Sequence, residues 1–150
     1  MPSYWIIVGS PDNFAKTEAL GFTIQGMKSR QRRKAERMEA GDKFAWYITG
    51  EQAFAGYATI TGSAFEDHEP IWVGKKDGED YPWRVPIAKD VVLPKDRRVG
   101  AEGVARRMTY VSKWPAEHWR LAFQGNVHEI PESDFALLAG EIDSAASEAA

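Results

Sequence analysis

The chain has 150 residues, no cysteine and a formal net charge of −3. A chain of this length can bury roughly 68–70% of its unfolded surface, enough for one domain to fold without a covalent or metal staple. The missing cysteines exclude disulfides, thiolate catalysis, zinc fingers and iron–sulfur clusters, no run approaches the ~20 apolar residues of a membrane span, and no apolar signal segment stands at the N-terminus, so a cytoplasmic location is expected.

Tyr4 to Val8 is an apolar run of aromatic and β-branched residues and reads as a buried strand. Gly9-Ser10-Pro11-Asp12 stops it. Ser10 is a good N-cap and Pro11 suits the first helical position, so a helix is expected from Pro11 to about Leu20, ended by Gly21. Phe22-Thr23-Ile24 reads as a short extended piece, after which Gln25-Gly26-Met27 leads into a basic helix from about Ser29 to Met38, stopped by Gly41 and Asp42. Phe44 to Ile48 and Phe54 to Ile60 read as antiparallel strands joined by the hairpin-length Thr49-Gly50-Glu51-Gln52. Gly56 suits close packing on one face of the second. Trp83 to Ala88 is a further strand, with Pro86 fitting an edge or a bulge. Asp90 to Arg98 is mixed and carries no single assignment. Beyond it the order is a short helix from Glu102 to Arg107, a strand from Met108 to Val111, a helix from Pro115 to Leu121, a strand from Asn126 to Ile130 and a closing helix from Pro131 to Ile142. The expected organisation is one domain over residues 1–142 and a frayed or disordered acidic Ala/Ser tail over 143–150. Strands of mixed length among short helices point to an α+β fold, a curved mixed sheet or small barrel. Neither GxGxxG nor GxxxxGK[ST] occurs, and His68, His118 and His128 show no paired-ligand spacing, so no metal or other cofactor is expected.

Charge is sorted along the chain. Residues 28–37 hold six bases against one acid, and Lys95, Arg97, Arg98, Arg106 and Arg107 form a second basic group. From Glu129 to the C-terminus there are six acids and no Lys or Arg. Such sorting can build a basic face that steers a polyanion despite the negative net charge, although a run like 28–37 is also what the solvated face of a helix looks like. Trp72 and Trp83 bracket a polar, glycine-containing loop, where an indole has little core to fill and reads as the wall of a pocket for a flat ligand. Trp5, inside an apolar strand, reads as core; Trp114 and Trp119 read as packing anchors. Trp46 and Tyr47 alternate across a strand, so one of them faces the interior and the other is available to a cleft.

Tyr4-Trp5-Ile6-Ile7, Met38-Glu39-Ala40-Gly41-Asp42-Lys43, Phe54-Ala55-Gly56-Tyr57, Pro70-Ile71-Trp72 and Tyr81-Pro82-Trp83-Arg84-Val85, closed by Phe123-Gln124-Gly125, Glu129-Ile130 and Asp134-Phe135, resemble the successive blocks of the EVE domain. EVE domains belong to the PUA-like superfamily and are similar to YTH domains, which hold a methylated adenine of RNA in an aromatic cage. The resemblance implies a PUA-like pseudo-barrel that binds DNA or RNA and reads a modified base flipped from the strand. Trp72 matches the loop tryptophan that walls the YTH pocket, and Ser10 matches the polar residue after the first strand. The cage's other early aromatic falls at Phe22, where this sequence lacks Trp, a departure that bears on the pocket's width and base preference. Gln25, Gly26 and Lys28 match the segment beside the pocket, as edge-reading or phosphate-contacting groups. The expected base pocket is thus Trp72, Phe22, Ser10, Gln25, Gly26, Tyr47 and Trp83, and the expected phosphate contacts are Lys28, Arg30, Arg32, Arg33, Arg97 and Arg98. A flipped base needs a stacking face, worth ~1–3 kcal/mol, and hydrogen bonds to its edge.

Two other classes stand beside this reading. Gly26-Met27-Lys28-Ser29-Arg30-Gln31-Arg32-Arg33 resembles the GxKxxExR signature of ASCH domains, a PUA-like branch that includes nucleoside-processing hydrolases, but its acid is here Gln31, and an amide cannot shuttle protons. Glu36, Asp42 and Glu51 are the carboxylates available to replace it. A protein-interaction module would be favoured if the basic helix lay sequestered against the acidic C-terminal helix.

Overall fold

The computed structural model describes residues 2–76 and 78–149, so Met1 and Ala150, the outer ends of the expected domain and tail, lie outside the described residues. Six strands lie side by side in the order β2 (Ile24–Met27), β6 (Trp83–Val92), β4 (Ala53–Ile60), β3 (Lys43–Ile48), β1 (Tyr4–Gly9) and β8 (Val127–Ile130). Two short strands complete the sheet, β5 (Phe65–Glu66) on β6 and β7 (Val99–Gly100) on β4. β1 and β3 are parallel and the other pairs antiparallel. Around this curled sheet pack α1 (Pro11–Ala19), α2 (Arg32–Arg37), α3 (Ala101–Ala105) and α4 (Glu132–Ala149), giving the α+β pseudo-barrel that the sequence pattern implies.

The central strands are covered on both faces, which is why β1 and β3 are continuous apolar runs. Trp5, Ile7, Phe44, Trp46 and Ile48 point to one face and close a core with Phe14, Met38 and Val85. Ile6, Val8, Ala45 and Tyr47 point to the other and pack with Phe54, Phe123, Phe135 and Leu138. The two-residue period therefore sends Trp46 and Tyr47 to opposite faces. Gly56 is needed where β4 meets β6, because a Cβ there would stand 2.1 Å from the Val91 carbonyl oxygen. Trp5 is fully buried, and its Nε1 donates to Asp42 at 3.2 Å.

Four local expectations need correction. The basic helix is split into a 3-10 turn at Ser29–Gln31 followed by α2, which ends at Arg37. Met108 to Val111 is not a strand: the N–H groups of Thr109 and Tyr110 donate to the buried Asp134 carboxylate at 2.9 and 2.8 Å, which folds the chain into a 3-10 turn at Tyr110–Lys113. The helix expected from Pro115 is also of 3-10 type, Ala116–Phe123, kinked at His118. Residues 143–149 are helical, continuing α4, rather than a frayed tail. The Tyr57 hydroxyl donates to Asp143 at 2.9 Å, and Ala145 and Ala146 pack on the core, so the continuation has partners. Burial, then the Asp143 bond, pushes the Tyr57 phenol up to about 12.

His128 on β8 is hydrogen-bonded through Nδ1 to the Tyr110 hydroxyl at 2.8 Å, while its Nε2 is buried without a hydrogen-bond partner among the described residues. Burial, helped by the Lys34 charge, lowers its pKa from 6.5 to about 4. Between those values the unfolded chain holds a proton that the folded protein does not, so stability is full above 6.5 and falls as the pH drops toward 4. The expected loss is about 3 kcal/mol, read from urea unfolding midpoints across that window. His128→Gln, which keeps an acceptor but cannot titrate, should flatten that part of the profile; an unchanged profile would contradict the assignment.

Candidate functional site

The parallel pairing of β1 with β3 brings their C-terminal ends together, and the first turn of α1 leaves from the same place. There Ser10 caps α1, its Oγ accepting the Asn13 N–H at 3.1 Å, with Pro at the first helical position. These ends, with residues 28–30, 73–75 and 120–126, enclose an open cleft of about 1140 Å³. Tyr47, Tyr81 and Phe123 line its floor as largely buried aromatic side chains, and the Tyr47 ring stacks on Phe123 at 4.8 Å between centroids. Burial pushes the pKa of both phenols up, with Glu79 adding to the shift at Tyr81, so they remain neutral hydrogen-bonding groups at neutral pH. Among the described residues Lys16, Lys28, Arg30, Lys75 and Arg120 border the cleft against the single carboxylate Asp12. Lys28 is paired with Glu79 at 3.1 Å, whereas Arg30, Lys75 and Arg120 are exposed. A concave surface lined mainly by one sign of charge concentrates the opposite charge.

Beneath the cleft lies a cavity of about 20 Å³, lined by Asn13, Thr17, Gln25, Gly26, Trp46 and Trp72 among others. That is room for about one water molecule. Trp72 is buried, with its indole lying on Gly26, where a Cβ would meet the ring at 2.3 Å. Gly26 pairs across the β2–β6 ladder with Arg84, whose guanidinium stands 5.0 Å from the indole centroid. The Trp72 Nε1 donates to Thr17 Oγ1 at 3.0 Å. A residue without a side chain and a buried arginine thus make the seat for the indole.

Arg84 also gathers the segment that carries Trp72 and Tyr81. It is 2% exposed, its Nε donates to the Tyr81 carbonyl at 3.1 Å, an Nη donates to the Glu69 carbonyl, and it lies 3.6 Å from Asp67. Asn13 pins the same segment from α1. Its Nδ2 donates to the Val73 carbonyl and its Oδ1 accepts the Val73 N–H, both at 2.9 Å. Asn126 ties the cleft's other edge: its Oδ1 accepts the Lys28 N–H at 2.9 Å and its Nδ2 donates to the Val8 carbonyl at 2.8 Å.

Of the residues expected at the pocket, Ser10 and Tyr47 line the cleft, while Gln25, Gly26 and Trp72 line the cavity beneath it. Both ends of the Gln25 amide brace the cavity: its Oε1 accepts the Trp46 Nε1–H at 2.8 Å and its Nε2 donates to the Gly26 carbonyl at 2.9 Å. Phe22 lies outside the pocket. Gly21 ends α1 in the left-handed region and Phe22 follows at φ 55°, which turns its ring into the core against Phe14 and Trp46 at 5.7 and 5.5 Å. Trp83 is also outside, half-buried under the Arg32 guanidinium, with its Nε1 donating to the Ser29 carbonyl at 3.2 Å. Lys28 and Arg30 border the cleft; Arg32, Arg33, Arg97 and Arg98 do not. Arg32 pairs with Glu36, and Arg98 clamps both oxygens of Glu51 at 2.7 and 2.8 Å. Arg106 and Arg107 are paired with Glu102 and Glu141.

Asn13, Thr17, Tyr81 and Asn126 were not singled out from the sequence. The four-residue spacing of Asn13 and Thr17, which puts both on one helix face, was their available signal. The carboxylates that could replace the ASCH acid lie elsewhere: Glu36 on α2, Asp42 beneath Trp5 and Glu51 on Arg98. The basic helix is not laid against the acidic one, since Arg37 pairs with Glu129 on β8 and α4 packs on β4, β3 and β6.

Comparison with known proteins agrees with this architecture. The Mmi1 YTH domain matches with a TM-score of 0.69 at 13% identity, over 97% of this chain and 91% of that one. The YTH domain-containing protein mmi1, solved in complex with RNA, matches at 0.68 and 13% identity, over 96% and 83%. A protein from Pseudomonas putida matches at 0.61 and 19% identity, over 92% and 98%. These identities speak for the fold alone. No curated protein matches by sequence. The EVE domain model matches residues 3–140, nearly the whole described chain, and the protein therefore belongs to the EVE domain family.

Proposed function

We propose that the protein is a non-catalytic reader of a modified base in a DNA or RNA strand, taking the base into the cleft while rim cations hold the backbone. The observation that carries this reading is the coincidence in one cleft of an aromatic floor, buried amides and, among the described residues, five cations against one carboxylate. Membership of the EVE family and a fold shared with a YTH domain solved with RNA support a nucleic-acid partner. In this reading the base lies against Tyr47 and Tyr81. Its edge meets Ser10, whose hydroxyl proton is uncommitted by the cap, and Asn126, whose amide keeps a second N–H. The base's substituent points into the water-sized cavity in front of Trp72. A methyl that displaces water there gains about 0.8 kcal/mol, so steric fit must add to discrimination.

The backbone contacts give a direct test. Arg30→Ala and Lys75→Ala should each weaken binding to modified and unmodified strands alike and reduce the salt slope by about one. Arg32→Ala and Arg33→Ala, on α2 and away from the cleft, should change binding less than twofold. The opposite pattern, with loss on α2 and none at the rim, would move the strand off the cleft.

A further inference from the structure

Among the described residues three large apolar side chains are exposed: Val73 at 68%, Leu121 at 42% and Phe65 at 39%. The first two border the cleft. They come from separate segments, and each has a cation beside it, Lys75 with Val73 and Arg120 with Leu121, both of which also line the cleft. Val73 is not a loose loop tip. Its N–H and its carbonyl are both tied to the buried Asn13 side chain at 2.9 Å, so its isopropyl group is held in solvent by a fixed backbone. Single exposed apolar side chains are ordinary on a protein surface; what sets these two apart is that both border one cleft, each beside a cation.

We infer that Val73 and Leu121 are platforms for the bases flanking the one in the cleft, so that the ligand is a strand of at least three nucleotides and not a free nucleotide. The inference rests on the reading of the cleft as a base site. Each apolar tip covers one face of a neighbouring base, and the adjacent Lys75 or Arg120 meets the phosphate of that nucleotide. A second hollow of about 370 Å³ adjoins the cleft, where Lys28, Arg30, Lys75 and Lys76 stand with Glu79 and Asp80, so among the described residues cations outnumber carboxylates there as well. A protein partner would have less use for a rim with, among the described residues, five cations and one carboxylate.

The test uses single-stranded heptamers with one central methylated base, 5-methylcytosine or N6-methyladenine, whichever the protein prefers. Each is compared with a twin whose two flanking nucleotides are abasic, so that the phosphates remain and only the bases are lost. The wild-type protein should bind the abasic-flanked heptamer roughly tenfold more weakly. The double variant Val73→Ser, Leu121→Ser should bind the intact heptamer with the same loss and show no further loss with abasic flanks. Both substitutions are at exposed positions, so an unchanged urea midpoint checks the fold. Equal binding of the two heptamers by the wild type, or full affinity in the double variant, overturns the platforms while leaving the cleft's preference for the central base intact. No preference for the methylated heptamer over its plain twin defeats the cleft reading itself, and the platforms with it.

Discussion

Arg84→Met is expected to destabilise the protein by about 3–5 kcal/mol and to abolish binding at the cleft. Methionine can fill much of the space of the arginine stem, so the cost comes from what the guanidinium does. Two carbonyls, those of Tyr81 and Glu69, lose their donor, and the orphaned buried acceptor at Tyr81 costs about 1–3 kcal/mol. The indole of Trp72 also loses a desolvated cation 5.0 Å from its centroid, worth up to about 2 kcal/mol. Against a total stability of roughly 5–15 kcal/mol such a loss is severe. Because the groups that Arg84 holds lie between Asp67 and Tyr81, the damage should fall on the segment that builds the site. Hydrogen exchange should show that segment opening before the β1–β3–β4 core. Arg84→Lys should recover only part of the loss, because an ammonium cannot reproduce a planar fork. A variant with Met that keeps both its urea midpoint and its binding would show that Arg84 is not the organiser of this loop.

The second large effect is expected at Trp72. Trp72→Ala removes a buried indole and its hydrogen bond to Thr17, a loss of about 3–5 kcal/mol, and should erase any preference for a modified base. Loss of fold alone could produce the same result, so the opposing surface supplies the control. Gly26→Ala leaves the indole in the chain but places a Cβ 2.3 Å from its ring, which forces the ring off its seat. The cost of that overpacking is about 1–3 kcal/mol, small enough for the protein to remain folded. A folded Gly26→Ala protein should bind unmodified strands as the wild type does, through the rim, and lose its modification preference. Retention of the full preference would mean that the position of Trp72 does not matter to recognition.

The parts of this structure that were legible in the sequence are those governed by local rules. The strand at Tyr4, the Ser10 cap and Pro11 start of α1, and the hairpin joining β3 to β4 follow from apolar runs, capping chemistry and connection length. The misjudged elements are those decided by partners far along the chain. Met108 to Val111 has strand composition, but Asp134 takes two of its N–H groups. The tail after Ile142 lacks a strong apolar face, but Tyr57 holds Asp143. At the site the same division appears. Trp72 was found because an indole in a polar loop is conspicuous, yet the loop is folded inward, and Trp72 is a buried wall. Phe22 was misplaced because its direction depends on a left-handed turn after Gly21. The basic run 28–37 was read as one face, whereas the break after Gln31 sends Lys28 and Arg30 to the cleft and leaves Arg32 and Arg33 on α2. Asn126 carries no sequence signal of its importance, and Asn13 only its four-residue spacing from Thr17, because what they bridge, α1 to Val73 and Lys28 to Val8, is separated by tens of residues.

The most direct measurement of the central claim is competition binding at fixed salt, with short DNA and RNA strands carrying methylated or otherwise modified cytosines and adenines, each against its unmodified twin. A reader of modified bases prefers at least one modified strand by tenfold or more, about 1.4 kcal/mol. Equal, salt-sensitive binding to every twin pair would contradict that claim, leaving a basic surface without a reader.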